Sequence, residues 1–182
     1  ADLSYDATVF ATHGMTLPTK EDLTSEISQN QLSIDKRVGR AAYAYLAALG
    51  RRIGYQDDSR DVLFLVDEAY HMTSSPEGHK EILQGVKTGR KHKFHICIGT
   101  HSAEEIGDQN LRSLITLRYV FRTRDADLAR TNLQWLDKQY ATAEYVEAVT
   151  KDLSPIDQAT DKVPEARRGE CFFKDHRGKV GK

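Results

Sequence analysis

The feature that most restricts what this chain can fold into is the run VLFLV at residues 62–66, which passes directly into Asp67 and Glu68. Five apolar residues in a row do not alternate with polar ones. That is the pattern of a strand in a parallel sheet covered on both faces, not of a half-solvated antiparallel strand. A second run of this kind, FHICIG, occupies residues 94–99. Between the two lie the marks of a helix. Ser75 can cap it, Pro76 suits its first position, Ile82, Leu83 and Val86 share one face, and Gly89 can end it. Strand, helix, strand is the unit from which parallel sheets are made, with a right-handed crossover.

The rest of the chain fits the same plan. Residues 8–11 read as a short strand and residues 19–34 as a polar surface excursion. A helix is predicted from Asp35, capped by Ser33 and ended by Gly54, with Val38, Ala42, Tyr45, Leu46, Leu49 and Ile53 as its inner positions. Ser102 and Glu105 have capping-box spacing. Further helices are expected over residues 110–116, from Asp125 through Leu133 and over 142–151. Strands are expected at 119–122 and 170–173, with a polar linker at 154–168 between the last helix and the last strand. Strands alternating with helices point to an α/β fold of the doubly wound or RecA-like kind, mostly parallel, with helices on both faces.

Composition removes several alternatives. The formal net charge is −1, so no global basic field marks a nucleic-acid binder, and any DNA contact would come from a local patch or a ring of subunits. Two cysteines, Cys97 and Cys171, do not make a disulfide scaffold, and Cys97 is expected to be a buried thiol. No stretch approaches the roughly 20 apolar residues that span a bilayer. The opening ADLSYDATVF lacks the basic-then-apolar order of a signal peptide. Strand-like patterns lie close to both ends, from which a fragment of a larger domain is expected.

Asp67 and Glu68 stand where ligands bind in open α/β sheets, at the carboxyl end of a strand. Two adjacent carboxylates there can divide the work of nucleotide hydrolysis. Asp67 can hold a magnesium ion, through water, and Glu68 can orient or deprotonate the attacking water. The plainer alternative is a strand that ends in two solvated acids. Two neighbours favour chemistry: the second run ends in Thr100-His101-Ser102, where a γ-phosphate sensor would sit, and GVKTGRKHK supplies Arg90 just before that run.

Taken in order, VLFLVDEAY, GVKTGRKHKFHICIGTHS and GECFFKDHRGKVGK resemble the HerA–FtsK branch of P-loop ATPases, and most closely the conjugative-transfer and type IV secretion ATPases. The resemblance implies that residues 1–182 are the C-terminal portion of one RecA-like ATPase domain. It implies that Asp67 and Glu68 are the Walker B pair, Arg90 an arginine finger and His101 the phosphate sensor, where the family usually has glutamine. Lys174 and Arg177 of the closing segment become candidates for contacts near the nucleotide, with Lys179 beside them. ATP and magnesium are the implied cofactors of the intact protein, and none is expected to bind this chain tightly. The implied partners are further copies in a hexamer, components of a secretion or conjugation channel, and DNA. The implied location is cytoplasmic, at the inner face of the cell membrane. The departure from the family is that G-x-x-x-x-G-K-[ST] occurs nowhere, and the Gly-Lys pairs at 178–179 and 181–182 are not followed by Ser or Thr.

Other residues keep two readings each. Arg90 could neutralise a helix C-terminus. Lys87, Lys91, His92 and Lys93 could touch DNA or a neighbouring subunit, or form a solvated helix end. His92 and His95 lack a third ligand for a metal. Arg118, Arg122 and Arg124 could line a subunit interface or be surface charge, and Trp135 and Tyr140 suit core packing or base stacking. At the level of the whole chain, the alternatives to a transfer motor are a non-catalytic docking module that kept the fold and another RecA-fold DNA helicase or translocase.

Overall fold

The computed structural model describes residues 6–19, 22 and 25–182. Its elements are α1 (Glu26–Asn30), α2 (Ile34–Gly54), β1 (Val62–Val66), α3 (Tyr70–Thr73), α4 (Pro76–Thr88), β2 (Phe94–Ile98), α5 (Gln109–Leu114), β3 (Arg118–Phe121), α6 (Ala126–Leu136), α7 (Ala143–Glu147), β4 (Cys171–Lys174) and β5 (Val180–Gly181). The expected mixed α/β class with a parallel sheet is borne out. β1 and β2 pair in parallel from Val62 opposite Phe94 to Val66 opposite Ile98, and β3, β4 and β5 form a second, antiparallel sheet.

The local signals act as the sequence foretells. Ser33 accepts the Lys36 N–H at the start of α2, Ser75 accepts the Gly78 N–H at the start of α4, and Asp125 accepts from Asp127 and Leu128 at the start of α6. Ser102 and Glu105 form the complete capping box of the 3-10 turn Ala103–Ile106. Each supplies an acceptor to helix-start N–H groups that have no partner within the helix.

The face that α2 buries differs from expectation. Val38 and Tyr45 are 62% and 65% exposed, while Gly39, Tyr43, Ala47 and Gly54 are buried. The reason is close approach. A methyl group at Gly54 would run into the Phe94 ring, and one at Gly85 of α4 would meet Ile96. The two helices therefore lie on the sheet through small residues, and Gly54 serves packing while Tyr55 caps the helix.

Tyr43, Ala47, Val66, Ala69, Met72, Ile82, Ile106 and Leu111 make the core of this first lobe. Leu63, Leu65, His95 and Cys97 lie on the other face of β1 and β2, exposed, with no described residue covering them. Cys97 is thus not the buried thiol expected. Residues 8–11 are not a strand: they are exposed coil without a pairing partner among the described residues. The polar excursion includes α1 and the buried Leu32.

The second lobe closes on itself. Ala129, Leu133, Leu136, Val149 and Leu153 are fully buried beneath Val120 and Phe172. Arg122 donates to the carbonyls of Thr150 and Ser154, and Arg118 donates to those of Ile115 and Trp135 and lies over the Trp135 ring. Both arginines satisfy backbone acceptors within the chain. The stretch expected as a linker is held by an Asp157–Lys162 bridge and by Arg167 on Glu170. No helix among the described residues is long and apolar enough to cross a membrane.

Candidate functional site

The chain leaves β1 at Val66, which is buried, and turns at once. Glu68 has φ +51°, in the left-handed region that costs a non-glycine residue energy. Three hydrogen bonds hold it there. Gly99 N–H donates to the Val66 carbonyl at 2.8 Å, Ala69 N–H donates to the Gly99 carbonyl at 3.1 Å, and Glu68 N–H donates to Asp67 Oδ1 at 3.0 Å. Ala69 then anchors the turn in the core, and α3 follows. The strained backbone is fixed from both sides by its neighbours.

This turn sets the acids against the end of β2. Asp67 Oδ1 lies so near Gly99 that a Cβ there would stand 3.0 Å from it. Gly99 therefore leaves room for the carboxylate. Both acids are exposed at the carboxyl edge of the parallel pair, beside the tip of β2. Asp67 Oδ2 has no hydrogen-bond partner among the described residues. Glu68 Oε2 lies 3.7 Å from His71 Nε2, and His71 in turn packs against the Tyr43 ring. His71 was not among the sequence candidates. Its place three residues after Glu68 was the available signal.

The end of β2 sorts its polar residues. Thr100 donates to Glu105 Oε2 at 2.7 Å and to the Ser102 carbonyl, and Ser102 caps the following turn. Asn132 of α6 donates to the His101 carbonyl at 3.2 Å and accepts the Ala103 N–H at 2.8 Å. The loop backbone is thus tied down while the His101 ring stays exposed, with no partner among the described residues. Asp67, Glu68 and His101 share one edge.

Arg90 does not join them. It is exposed on the 3-10 turn Gly89–His92, at the amino end of β2, and makes no ion pair with a described residue. Lys174 and Arg177 lie elsewhere again. Lys174 ends β4, where its ammonium binds Asp137 Oδ2 at 2.8 Å. That hydrogen bond, with the Gln139 N–H, holds the Asp137 carboxyl below the usual carboxylate range. Arg177 is exposed in the turn before β5. His92 and His95 pair with Asp58 and Asp61, each at 2.8 Å. An open depression of about 390 Å³ lies among Tyr70, Ser75, His79 and Asp108, and its lining does not include the acid pair.

No three His, Cys, Asp or Glu residues converge on a metal-sized space among the described residues. A magnesium ion in phosphoryl transfer asks for less: one or two carboxylates, with phosphate oxygens and water completing six positions. The free Oδ2 of Asp67, on a carboxylate fixed through Oδ1, fits that demand.

Compared with known protein families, residues 2–182 match the AAA-like domain. Among curated proteins, none matches the chain.

Proposed function

Because the chain belongs to the AAA-like domain family, P-loop ATPases of the FtsK and HerA type, we propose that it carries the catalytic acids of an ATP-hydrolysing motor that powers DNA or protein transfer in conjugation or type IV secretion. The observation that supports this reading is the seating of Asp67 and Glu68 on a strained, triply hydrogen-bonded turn at the carboxyl edge of β1, against Gly99 of the next strand. A merely solvated strand end has no need of a left-handed glutamate.

The family uses ATP and magnesium and is commonly oligomeric. When bound, the magnesium nucleotide supplies the reacting phosphorus and part of the charge neutralisation. In this reading Asp67 holds the metal's water shell and Glu68 accepts a proton from the attacking water. His101 donates to the γ-phosphate from the same edge. The His71 imidazole beside Glu68 restrains that carboxylate.

Arg90 belongs to the other end of β2. A five-residue strand at about 3.3 Å per residue spans roughly 16 Å, so Arg90 and the acid pair are poorly placed to serve one nucleotide. Arg90 therefore acts on the nucleotide of a neighbouring copy in a ring, taken as a hexamer. Lys174 is already engaged by Asp137, which leaves Arg177 as the better candidate for a contact near the nucleotide. The phosphate cradle comes from outside these 182 residues, since they hold no G-x-x-x-x-G-K-[ST]. The working place of such a motor is the inner face of the cell membrane.

The test is turnover in the full-length protein. Glu68→Gln is expected to keep ATP binding and slow hydrolysis by roughly 10²- to 10⁴-fold. A docking module is the second reading, favoured by the missing cradle and by the exposed Leu63 and Leu65. A full-length protein that hydrolyses no ATP would replace the motor with it, and unchanged hydrolysis in Glu68→Gln would remove Glu68 from the mechanism. The 182-residue chain by itself is expected to bind ATP poorly, and micromolar affinity in calorimetry would contradict the proposed source of the cradle.

A further inference from the structure

We infer that Tyr55, His92 and Asp58 form a clamp that fixes the turn carrying Arg90, and that they are positioning residues for that arginine. The inference rests on the role given to Arg90 above.

A single 3-10 turn is a poor platform for a residue that has to meet a target outside its own chain. Such turns are short, and their hydrogen bonds are badly aligned. This one also leaves through Lys93 at φ +49°, in the left-handed region. Something outside the turn has to hold it.

Tyr55, the residue that ends α2, reaches both of its flanks. Its hydroxyl lies 2.6 Å from Thr88 Oγ1, two residues before Arg90. Its ring stacks on His92, two residues after Arg90, with centroids 4.0 Å apart and planes 18° from parallel. The same ring meets Phe94 edge-on at 5.6 Å. From the far side of the turn, Asp58 Oδ1 lies 2.8 Å from His92 Nδ1, and Lys93 Nζ donates to the Ser59 carbonyl. Arg51 sits 5.5 Å from the Tyr55 centroid and bonds Glu81 of α4 at 2.7 Å, which ties Tyr55's own helix to the helix that delivers the turn.

The outcome is selective. The side chains of Thr88 and His92 are held on both sides of residue 90, while the Arg90 side chain is exposed and unpaired among the described residues. If Arg90 served only to neutralise the end of α4, it would need no such base. A cation that reaches a neighbour's phosphate benefits from one, because the entropy of placing it is lost on folding and not at each turnover.

The experiment measures kcat and KM for ATP in the full-length assembled protein. Tyr55→Ala is expected to lower kcat by roughly 100-fold with little change in KM, the scale of loss that follows a displacement of about 1 Å. His92→Ala is expected to lower it about 10-fold, and His92→Phe, which restores the stack, recovers most of that. In an Arg90→Ala background, Tyr55→Ala costs nothing further, because the residue being placed is gone. Equal losses in both backgrounds would make the clamp ordinary packing and overturn the inference. If Arg90→Ala slows turnover and Tyr55→Ala does not, the clamp alone is wrong. If Arg90→Ala has no effect, the role of Arg90 falls and the clamp falls with it. Tyr55→Phe removes only the bond to Thr88 and guards against misfolding. It is expected to speed amide exchange over residues 89–92, and unchanged exchange there would also overturn the inference.

Discussion

The two ends of the β1–β2 sheet are built in opposite ways. At the carboxyl end the backbone is strained, the acids are locked side by side, and Thr100 and Ser102 are absorbed by the loop's own hydrogen bonds. At the amino end the side chains around Arg90 pair with one another across a loop: His92 with Asp58, His95 with Asp61, Tyr55 with Thr88. In the Gly89–His92 turn, Arg90 and Lys91 are left exposed, with no ion pair among the described residues. One end presents a pair of carboxylates on a strained edge, and the other presents cations, Arg90 among them. A sheet that carries them at opposite ends is poorly placed to use both on one ligand, and the proposed ring of identical sheets would bring them together.

The sharpest break in that comparison is at the amino end. Arg90→Ala in the full-length protein is expected to lower kcat by about 10³-fold or more, within the range known for arginine fingers. At the carboxyl end, Glu68→Gln is expected to lower kcat by roughly 10²- to 10⁴-fold, the usual worth of general base catalysis, with ATP affinity retained. The two can be set against each other. Mixed rings of Arg90→Ala and Glu68→Gln protein should recover part of the lost turnover, because some interfaces then join an intact Glu68 to an intact Arg90. Recovery absent from rings shown to be mixed would mean that both ends serve the same chain's nucleotide.

A smaller effect tests the seating of the acids. Gly99→Ala places a methyl group against Asp67 Oδ1, and either the carboxylate or the tip of β2 has to give by a few tenths of an ångström. About a 10-fold loss of kcat is expected from that misplacement, with the thermal midpoint little changed. A wild-type rate would show that the contact between the strand tips does not matter.

Much of this was legible in the sequence for one physical reason: the readable features are local. Ser33, Ser75, Ser102 and Asp125 each satisfy an N–H two or three residues away, so spacing alone reveals them. The acid pair is legible because an unbroken apolar run has to end somewhere, and Asp67 and Glu68 mark where. What escaped depends on residues far apart in the chain. Residues 8–11 have the composition of a strand, but a strand needs a partner. Val38 and Tyr45 have helical spacing, yet the sheet accepts the smaller residues of α2 in their place. Arg118 and Arg122 look like surface charge until the carbonyls they serve, up to 32 residues away, are folded beside them. The stack of His92 on Tyr55 joins segments that no periodicity connects.

The smallest effect is expected from a residue that belongs to neither end. Glu170 in the second lobe accepts two hydrogen bonds from Arg167 and one from the Ser154 N–H. Arg167 first and that N–H next pull its carboxyl down to about 2. Since the folded value lies below the ordinary 4.5, the stability it contributes is whole above that ordinary value and is lost as pH falls towards the folded one. Glu170→Gln should therefore lower the thermal midpoint slightly at pH 7, followed by circular dichroism, and the gap from wild type should close on acidification. Hydrolysis and its response to Arg90→Ala should stay as they are. Should Glu170→Gln slow turnover as well, the second lobe would be coupled to the catalytic edge, by way of the Asn132 bonds to the loop of His101, and the contrast between the two ends would have to include a third party.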